Sequence, residues 1–339
     1  MPARREPTLA DVAERAGVSL TTVSRVLNNR GYLSQYTRDR VASAIKELGY
    51  RPNQVARALH GMSTNTVGVI MPTTSLPFFG ELVAGLESTL AEAGYRTLLC
   101  NSMGRVDRER EYLDLLIAQR VDGIISGAHN EMQMDYDTVR MPLVTIDRDL
   151  SPTIPNIRAD NLAGGRLATE HLLARGRTRP AILTSRTGPH NLREAGYRAV
   201  LAEHSIQPVL LTVEFHTPDS MRYGLVSSQL DAVAQEIDSV FATDDLAAAA
   251  VLEWAYQHGR RVPEDFAVVG FDGTSAVRRA LPGLTTIQQP IAQIARAAVS
   301  QLLEQVRAYA DGQEVRTKPT RATELPITLL EGRTRPGTA

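Results

Sequence analysis

The sequence predicts a small all-helical bundle followed by a larger α/β region that contains two doubly wound parallel sheets. The first observation is that the opening fifty residues carry three amphipathic helical patterns. The second is that, from Thr66 onwards, short apolar runs alternate with amphipathic helical stretches, which indicates parallel sheets covered by helices on both faces. The third is that this alternation continues almost to the end of the 339-residue chain. A region of this length suggests two doubly wound halves instead of one large sheet. Two such halves would leave a ligand cleft beyond the carboxyl ends of their strands.

The first two helical patterns are joined by a tight turn and form a candidate helix-turn-helix. Thr8 followed by Asp11 predicts a capped start for the first helix. Gly17 supplies the turn, and Ser19 is a suitable cap for the second helix. The first helix has one apolar stripe, which consists of Leu9, Val12, Ala13 and Ala16.

On the second helix, small hydrogen-bonding side chains surround a single arginine opposite the apolar residues. This face consists of Thr21, Ser24, Arg25 and Asn28, with Leu20 on its flank. Such a face suits a helix that reads bases in a major groove. The pattern by itself also fits an ordinary solvated pair of helices.

A third helix is predicted between Ser34 and Gly49, and Thr37 near its start either contacts a phosphate or lies on a solvated face. Residues 52–62 then predict a short helix with Asn53 as its cap. Helices shorter than about twelve residues are marginal in water. We therefore expect this segment to be a hinge that is helical only when something holds it.

The charge distribution separates the start of the chain from the rest. Residues 1–60 hold ten Lys and Arg against five Asp and Glu, so this part carries +5 and the remainder −6. A basic head fits a module that meets phosphate groups. The single cysteine, Cys100, excludes a disulfide framework and suits a reducing compartment. No signal peptide or apolar membrane-spanning run is present in the sequence, so we expect a cytoplasmic protein with no membrane partner.

Seven strands and five helices are predicted in the α/β region. The strands are Val67–Met71, Arg96–Asn101, Gly123–Ser126, Leu143–Ile146, Ala181–Thr184, Ser239–Ala242 and Ala267–Phe271. The helices are Phe79–Ala93, Arg108–Gln119, Leu162–Arg175, Arg193–Glu203 and Leu246–His258.

Polar residues follow several of these strands and are candidate ligand contacts. They include Asp147 and Arg148, Thr243 and Asp244, and Asp272. Carboxylates and an arginine that converge at one edge would hold hydroxyl groups through charge-assisted hydrogen bonds, as sugar recognition requires. Each aspartate alone is explained equally well as the cap of the next helix.

The sequence contains no enzyme motif for which we searched. GxxxxGK[ST], HExxH and GxSxG are absent, no GxGxxG follows a strand, and the seven histidines do not pair at metal-ligand spacing. We therefore predict no catalytic residues, no metal site and no cofactor. Trp254 and Cys100 are expected to be packing residues.

Blocks of residues along the whole chain resemble the lactose-repressor (LacI/GalR) family of transcription regulators. The helix-turn-helix matches are Thr8–Ala13, Gly17–Ser19 and Thr22–Asn28, and the hinge-like match is Gly49–Asn53 with Ala56 and Leu59. The matches in the α/β region are Ile146–Arg148, Leu192–Tyr197, Ala242–Asp245, Val269–Asp272 and Leu284–Pro290.

The resemblance implies an α/β effector domain like that of periplasmic sugar-binding proteins, with two subdomains joined by three crossovers. These crossovers are expected near Asp160, Gln289 and Pro319. The implied organisation is a headpiece (1–51), a hinge helix (52–62), an N-subdomain (63–160 and 290–318), a C-subdomain (161–289 and 319–331) and a tail (332–339).

For the headpiece, the resemblance implies a homodimer on a double-stranded, pseudo-palindromic operator. Leu20, Thr21 and Arg25 are expected to read bases. The expected phosphate contacts are Thr22, Ser24, Asn28 and Thr37. Three hinge residues, Asn53, Ala56 and Leu59, are also assigned to DNA, with Leu59 as a wedge in the minor groove.

For the effector domain, the resemblance implies a small-molecule site between the subdomains. The expected contacts are Phe78, Phe79, Asp147, Arg193, Phe215, Thr243, Asp272 and Gln289. The implied function is a repressor that a small sugar releases from its operator. One alternative is a corepressor-dependent regulator with a ligand such as a purine, and a more remote one is a sugar-binding protein without a regulatory role.

Overall fold

The computed structural model describes residues 7–27, 31–50, 63–127, 136, 138–315 and 319–332. The chain forms two compact units, Met1–Thr64 and Asn65–Ala339. The predicted hinge at 52–62, with Asn53, Ala56 and Leu59, lies outside the described residues, as does Asn28.

The first unit contains three helices, α1 (Leu9–Ala16), α2 (Leu20–Leu27) and α3 (Gln35–Leu48). The start of α1 has the predicted capping box, in which Asp11 Oδ2 accepts from Thr8 N at 2.6 Å. The three helices share one small core, formed by Val12, Ala13, Ala16, Val23, Val41 and Ala44. Because these residues lie at helical spacing in the sequence, the bundle follows from the apolar stripes.

The first subdomain of the second unit is built on a six-stranded parallel sheet in the order β11-β5-β4-β3-β1-β2. Its strands are β1 (Thr66–Met71), β2 (Arg96–Asn101), β3 (Gly123–Ser126), β4 (Leu143–Ile146), β5 (Asn156–Ala159) and β11 (Thr323–Leu325). Its helices are α4 (Pro77–Glu92), α5 (Val106–Ala118) and α11 (Ile291–Ala310).

The second subdomain contains another six-stranded sheet, in the order β12-β10-β9-β8-β6-β7, with β12 antiparallel to β10. Its strands are β6 (Pro180–Thr184), β7 (Val209–Thr212), β8 (Ser239–Ala242), β9 (Ala267–Asp272), β10 (Thr285–Gln288) and β12 (Thr328–Leu330). Its helices are α6 (Asn161–Ala174), α7 (Leu192–Glu203), α8 (Asp219–Val233), α9 (Asp245–Gln257) and α10 (Ser275–Ala280).

The chain passes between the subdomains three times, and the third crossover differs from the prediction. The first lies at Asp160, between β5 and α6, and the second lies between β10 and α11. The third is not near Pro319, because β11 pairs with β5 of the first sheet and Asp160 N donates to Leu325 O at 2.9 Å. The strand ends at Leu325, and the next residue, Pro326, has no N–H to continue the ladder. Residues 319–325 therefore belong to the first subdomain, and their predicted assignment to the second is wrong.

All seven predicted strands and five predicted helices are present, with ends within two residues of the expected ones. Trp254 and Cys100 are buried, as predicted. No helix in the described ranges is long and apolar enough to cross a membrane.

Candidate DNA-binding face and effector cleft

The outward face of α2 is available for base contacts. Val23 is fully buried against the other two helices, whereas Leu20 is 51% exposed. Thr21 and Arg25 are also exposed. The structure thus places the three predicted base-reading residues on the accessible side of one short helix. Their contact with bases remains a prediction.

Thr22 and Thr37 occupy equivalent positions at the starts of α2 and α3. Thr22 N donates to the Ser19 hydroxyl at 3.1 Å, and Thr37 N donates to the Ser34 hydroxyl at 3.2 Å. In both pairs the two hydroxyls are also 2.9 Å apart. Both threonines therefore complete helix caps, and a phosphate at either helix start would add a second role for them. Ser24, the other described phosphate candidate, is half-buried.

The predicted effector residues converge at the carboxyl ends of the parallel strands. Asp147 follows β4, Thr243 follows β8, Asp272 ends β9 and Gln289 follows β10. Asp147 and Asp272 have φ values of 68° and 108°, an arrangement that non-glycine residues rarely adopt. The chain therefore turns away from the strand direction at both carboxylates.

Arg193, near the start of α7, is at the centre of this group. Its guanidinium lies 3.7 Å from the centroid of the Phe271 ring and 3.8 Å from Asp272 Oδ1. It also donates one hydrogen bond to the backbone carbonyl of Thr243 and one, from Nε at 2.8 Å, to Asn161 Oδ1. These contacts on several sides fix the orientation of the Arg193 guanidinium and of its N–H donors.

Asp272, at the carboxyl end of β9, is held from two sides. Gln289 Nε2 donates to Asp272 Oδ1 at 2.8 Å, and Arg193 lies on the other side. Burial raises the pKa of Asp272 well above its usual range, and the positive charge of Arg193 opposes that rise.

Asn161 is a member of this group that the sequence did not indicate. The side chain is 5% exposed and belongs to the first residue of α6. Its Nδ2 donates to Asp147 Oδ1 at 2.9 Å, while its Oδ1 accepts from Arg193. A buried amide needs hydrogen-bond partners, but the burial of Asn161 arises only in the folded chain, so the sequence carried no signal for it.

Asp245 is a second residue that the sequence analysis missed. Its carboxylate accepts from Gly273 N at 2.8 Å and from the Thr286 hydroxyl at 2.6 Å. Burial raises the pKa of Asp245 to about 6. These bonds hold the turn that follows Asp272, so Asp245 supports the position of a cleft carboxylate without itself being exposed.

The predicted aromatic residues form a wall that runs from one subdomain to the other. The rings of Phe78 and Phe79, at the start of α4, are edge-to-face with centroids 5.1 Å apart. Phe79 makes a similar contact with Phe215, which follows β7 of the second subdomain, at 5.9 Å. Phe78 and Phe79 are buried, at 7% and 5% exposure, and Phe215 packs against the core that contains them. Their contact with a ligand remains a prediction. No group of three or more metal-ligating side chains occurs in the parts of the chain that the structure covers.

The first subdomain also exposes a set of large apolar side chains on β2, on α5 and between them, which we call the β2–α5 surface. Its members are Leu98, Leu99, Met103, Val106, Leu115 and Ile117. Strand β2 lies at the edge of the first sheet, and its consecutive residues Leu98 and Leu99, on opposite faces of that sheet, are 36% and 41% exposed. Exposed apolar patches of this kind mark protein interfaces.

Comparison with known proteins gives consistent matches for both units. Residues 8–53 match the family model for bacterial regulatory proteins of the lacI family, and residues 169–334 match a periplasmic binding protein-like domain. The chain is 40% identical over 330 residues to a sucrose operon repressor of Pediococcus pentosaceus, covering 96% of this chain and 99% of the relative. It is 35% identical over 332 residues to a ribose operon repressor of Halalkalibacterium halodurans, covering 97% of each.

A solved structure with a similar fold is the lac repressor dimer bound to operator and the anti-inducer ONPF. The TM-score is 0.80 at 29% identity, with 96% of this chain and 98% of that chain covered. The similarity therefore extends over the helical unit and both subdomains.

Proposed function

The chain belongs to the lacI family of bacterial regulatory proteins and is a sugar-responsive DNA-binding repressor; we propose that a small sugar, bound between its two subdomains, releases it from operator DNA. Its relatives are transcriptional repressors and not enzymes. The proposal places the protein in the cytoplasm, where a regulator meets its operator.

One observation supports a sugar as the ligand. A chain of polar side chains crosses the cleft from Asp147 through Asn161, Arg193 and Asp272 to Gln289. Sugar hydroxyls both donate and accept hydrogen bonds, and this chain offers carboxylate acceptors beside guanidinium and amide donors. In this proposal the edges of Phe78, Phe79 and Phe215 supply the apolar contact.

The mechanism follows from the two-subdomain design. A ligand that contacts both subdomains stabilises the arrangement in which its contacts are complete, and so shifts the population between arrangements. A coupling free energy of about 1–3 kcal/mol is typical between two such sites. That amount corresponds to a change of about 5- to 150-fold in affinity for the operator.

The test is a titration of sugars into a complex of the full-length protein with a labelled operator obtained by in vitro selection. Sucrose, D-fructose and D-ribose are the probes, with hypoxanthine as the contrasting ligand. We expect one of the sugars to weaken operator binding. Tighter binding with hypoxanthine and no response to any sugar would replace this proposal with the corepressor alternative.

A further inference from the structure

We propose that Asn161 is a positioning residue that joins the sugar-contacting side chains of the two subdomains into one unit. This inference rests on the proposed function, in which Asp147 and Arg193 contact the sugar. It adds a residue with no sugar contact of its own, located at the first crossover.

The side-chain amide of Asn161 both donates and accepts a hydrogen bond. Its Nδ2 donates to Asp147 Oδ1 at 2.9 Å, and its Oδ1 accepts from Arg193 Nε at 2.8 Å. Asp147 follows a strand of the first sheet, whereas Arg193 lies on a helix of the second subdomain. An amide can donate to a carboxylate and accept from a guanidinium at the same time, and an ionised carboxylate or an ammonium group cannot.

The position of Asn161 links this pair to the crossovers. The preceding residue, Asp160, caps α6 through Ala163 N at 2.9 Å and donates its own N–H to Leu325 O at 2.9 Å. Leu325 is the last residue of β11, directly before the third crossover. At the opposite end of the polar chain, Gln289 lies at the second crossover.

This geometry has a consequence for ligand response. A change in the angle between the subdomains moves Asp147 relative to Arg193, and the two hydrogen bonds of Asn161 resist that movement. A sugar that binds both side chains gains from their fixed spacing, because less ordering is needed on binding. Loss of the amide removes two charge-assisted hydrogen bonds, each of which contributes about ten-fold or more to an equilibrium.

The test compares Asn161→Ala, Asn161→Asp and the control Gln305→Glu in the full-length protein. Gln305 is also a buried amide, and it bonds the backbone of Leu143 at the far end of the same strand β4. Binding of sucrose, D-fructose and D-ribose is measured by calorimetry between pH 5 and pH 8. We expect Asn161→Ala to weaken sugar binding roughly ten- to hundred-fold at every pH.

Asn161→Asp tests for a pH dependence of sugar binding that a purely structural role of Asn161 would not produce. At pH 8 the new carboxylate faces Asp147, so repulsion disrupts the pair although Arg193 remains as an opposite charge. As the pH falls, one shared proton restores a donor to Asp147, and sugar binding should recover towards the wild-type value. Gln305→Glu should show no such recovery, whatever it does to stability.

Two outcomes overturn the inference, and both can be told apart from failure of the proposed function. If wild type binds one of the sugars and Asn161→Asp binds it equally well at pH 8, Asn161 does not position the site, and the sugar-responsive function stands. If none of the sugars binds wild type, the proposed sugar class fails, and Asn161 is then tested without ligand. In that case the exchange rate of the Arg193 Nε proton, measured by NMR, should rise about ten-fold in Asn161→Ala only; an unchanged rate contradicts the inference.

Discussion

The imidazole of His216, in the second subdomain, lies directly over the backbone of Gly104, in the first. A β-carbon added at Gly104 would overlap the ring. The adjacent residue, Phe215, contacts Phe79 across the same boundary, so two consecutive side chains of one loop contact the opposite subdomain. Burial lowers the pKa of His216, and the charges of Arg148 and Arg222 act in the same direction. The charge of Glu214 opposes this shift, and the lowered pKa favours the neutral imidazole, as suits a packed contact.

Gly104→Ala should disrupt the contact between the His216 ring and the backbone of Gly104. Gly104 has φ +67°, so alanine there adds backbone strain as well as the clash with His216. Gly94→Ala is the matched control, because Gly94 has φ +80° and open space around it. We expect both variants to lose about 1–2 kcal/mol of unfolding free energy from strain and Gly104→Ala to lose more. Equal losses in urea denaturation would show that the histidine moves aside without cost.

The buried carboxylate of Asp245 should make stability depend on pH. The pKa of Asp245 in the folded protein is about 6, above the usual value of 3.8, because burial disfavours the charged form. The protonated Asp245 side chain therefore makes its full contribution to the free energy of unfolding below about pH 4. This contribution is lost as the pH rises through 6. The loss amounts to at most about 3 kcal/mol.

Asp245→Asn removes this titration. Unfolding free energies of wild type and variant, measured in urea from pH 4 to pH 7, should diverge in favour of the variant as the pH rises. Comparison of the two profiles cancels the contributions of groups that do not interact with Asp245. Asp272 is not one of these, because the charge of Asp245 adds to the burial that raises the pKa of Asp272, so the difference between the profiles reports on both carboxyl groups. Parallel profiles would mean that Asp245 does not titrate in this range.

The β2–α5 surface should hold the subunits of a dimer together. Leu99→Lys places a charge on the edge strand of the first sheet, where an apolar partner is expected, and should shift the protein towards monomer at micromolar concentration. Tyr309→Lys is the control, since Tyr309 is similarly exposed, at 50%, near the end of α11. Sedimentation velocity measures both. A dimer that is unchanged by Leu99→Lys places the interface elsewhere.

Arg25→Ala should weaken operator binding by about 1–3 kcal/mol and relax the preference for particular bases at one position of each half-site. Arg15→Ala is a useful comparison, because Arg15 belongs to the same unit but is paired with Glu47 at 2.7 Å. It should leave base preference unaltered. Binding to a panel of operators with single base-pair changes measures both; if base preference survives Arg25→Ala, that residue contacts only phosphate.

The sequence by itself determined the features that depend on near neighbours in the chain. The cap at Thr8, the turn at Gly17 and the apolar stripes of the helices involve partners only three to seven residues apart, so local spacing was enough. The buried strands were equally clear because both faces of a parallel sheet are covered. The strand ends identified Asp147 and Asp272, whereas Arg193 was identified only by the family resemblance.

The tertiary structure decided which distant side chains meet. Asn161 is 14 residues from Asp147 and 32 from Arg193, and no local pattern encodes a hydrogen bond between such partners. The third crossover was misplaced for the same reason, since pairing of the three-residue strand β11 with β5 depends on a partner more than one hundred and sixty residues away. Short edge strands and buried amides are specified by the neighbours that packing brings to them, and only the folded chain identifies those neighbours.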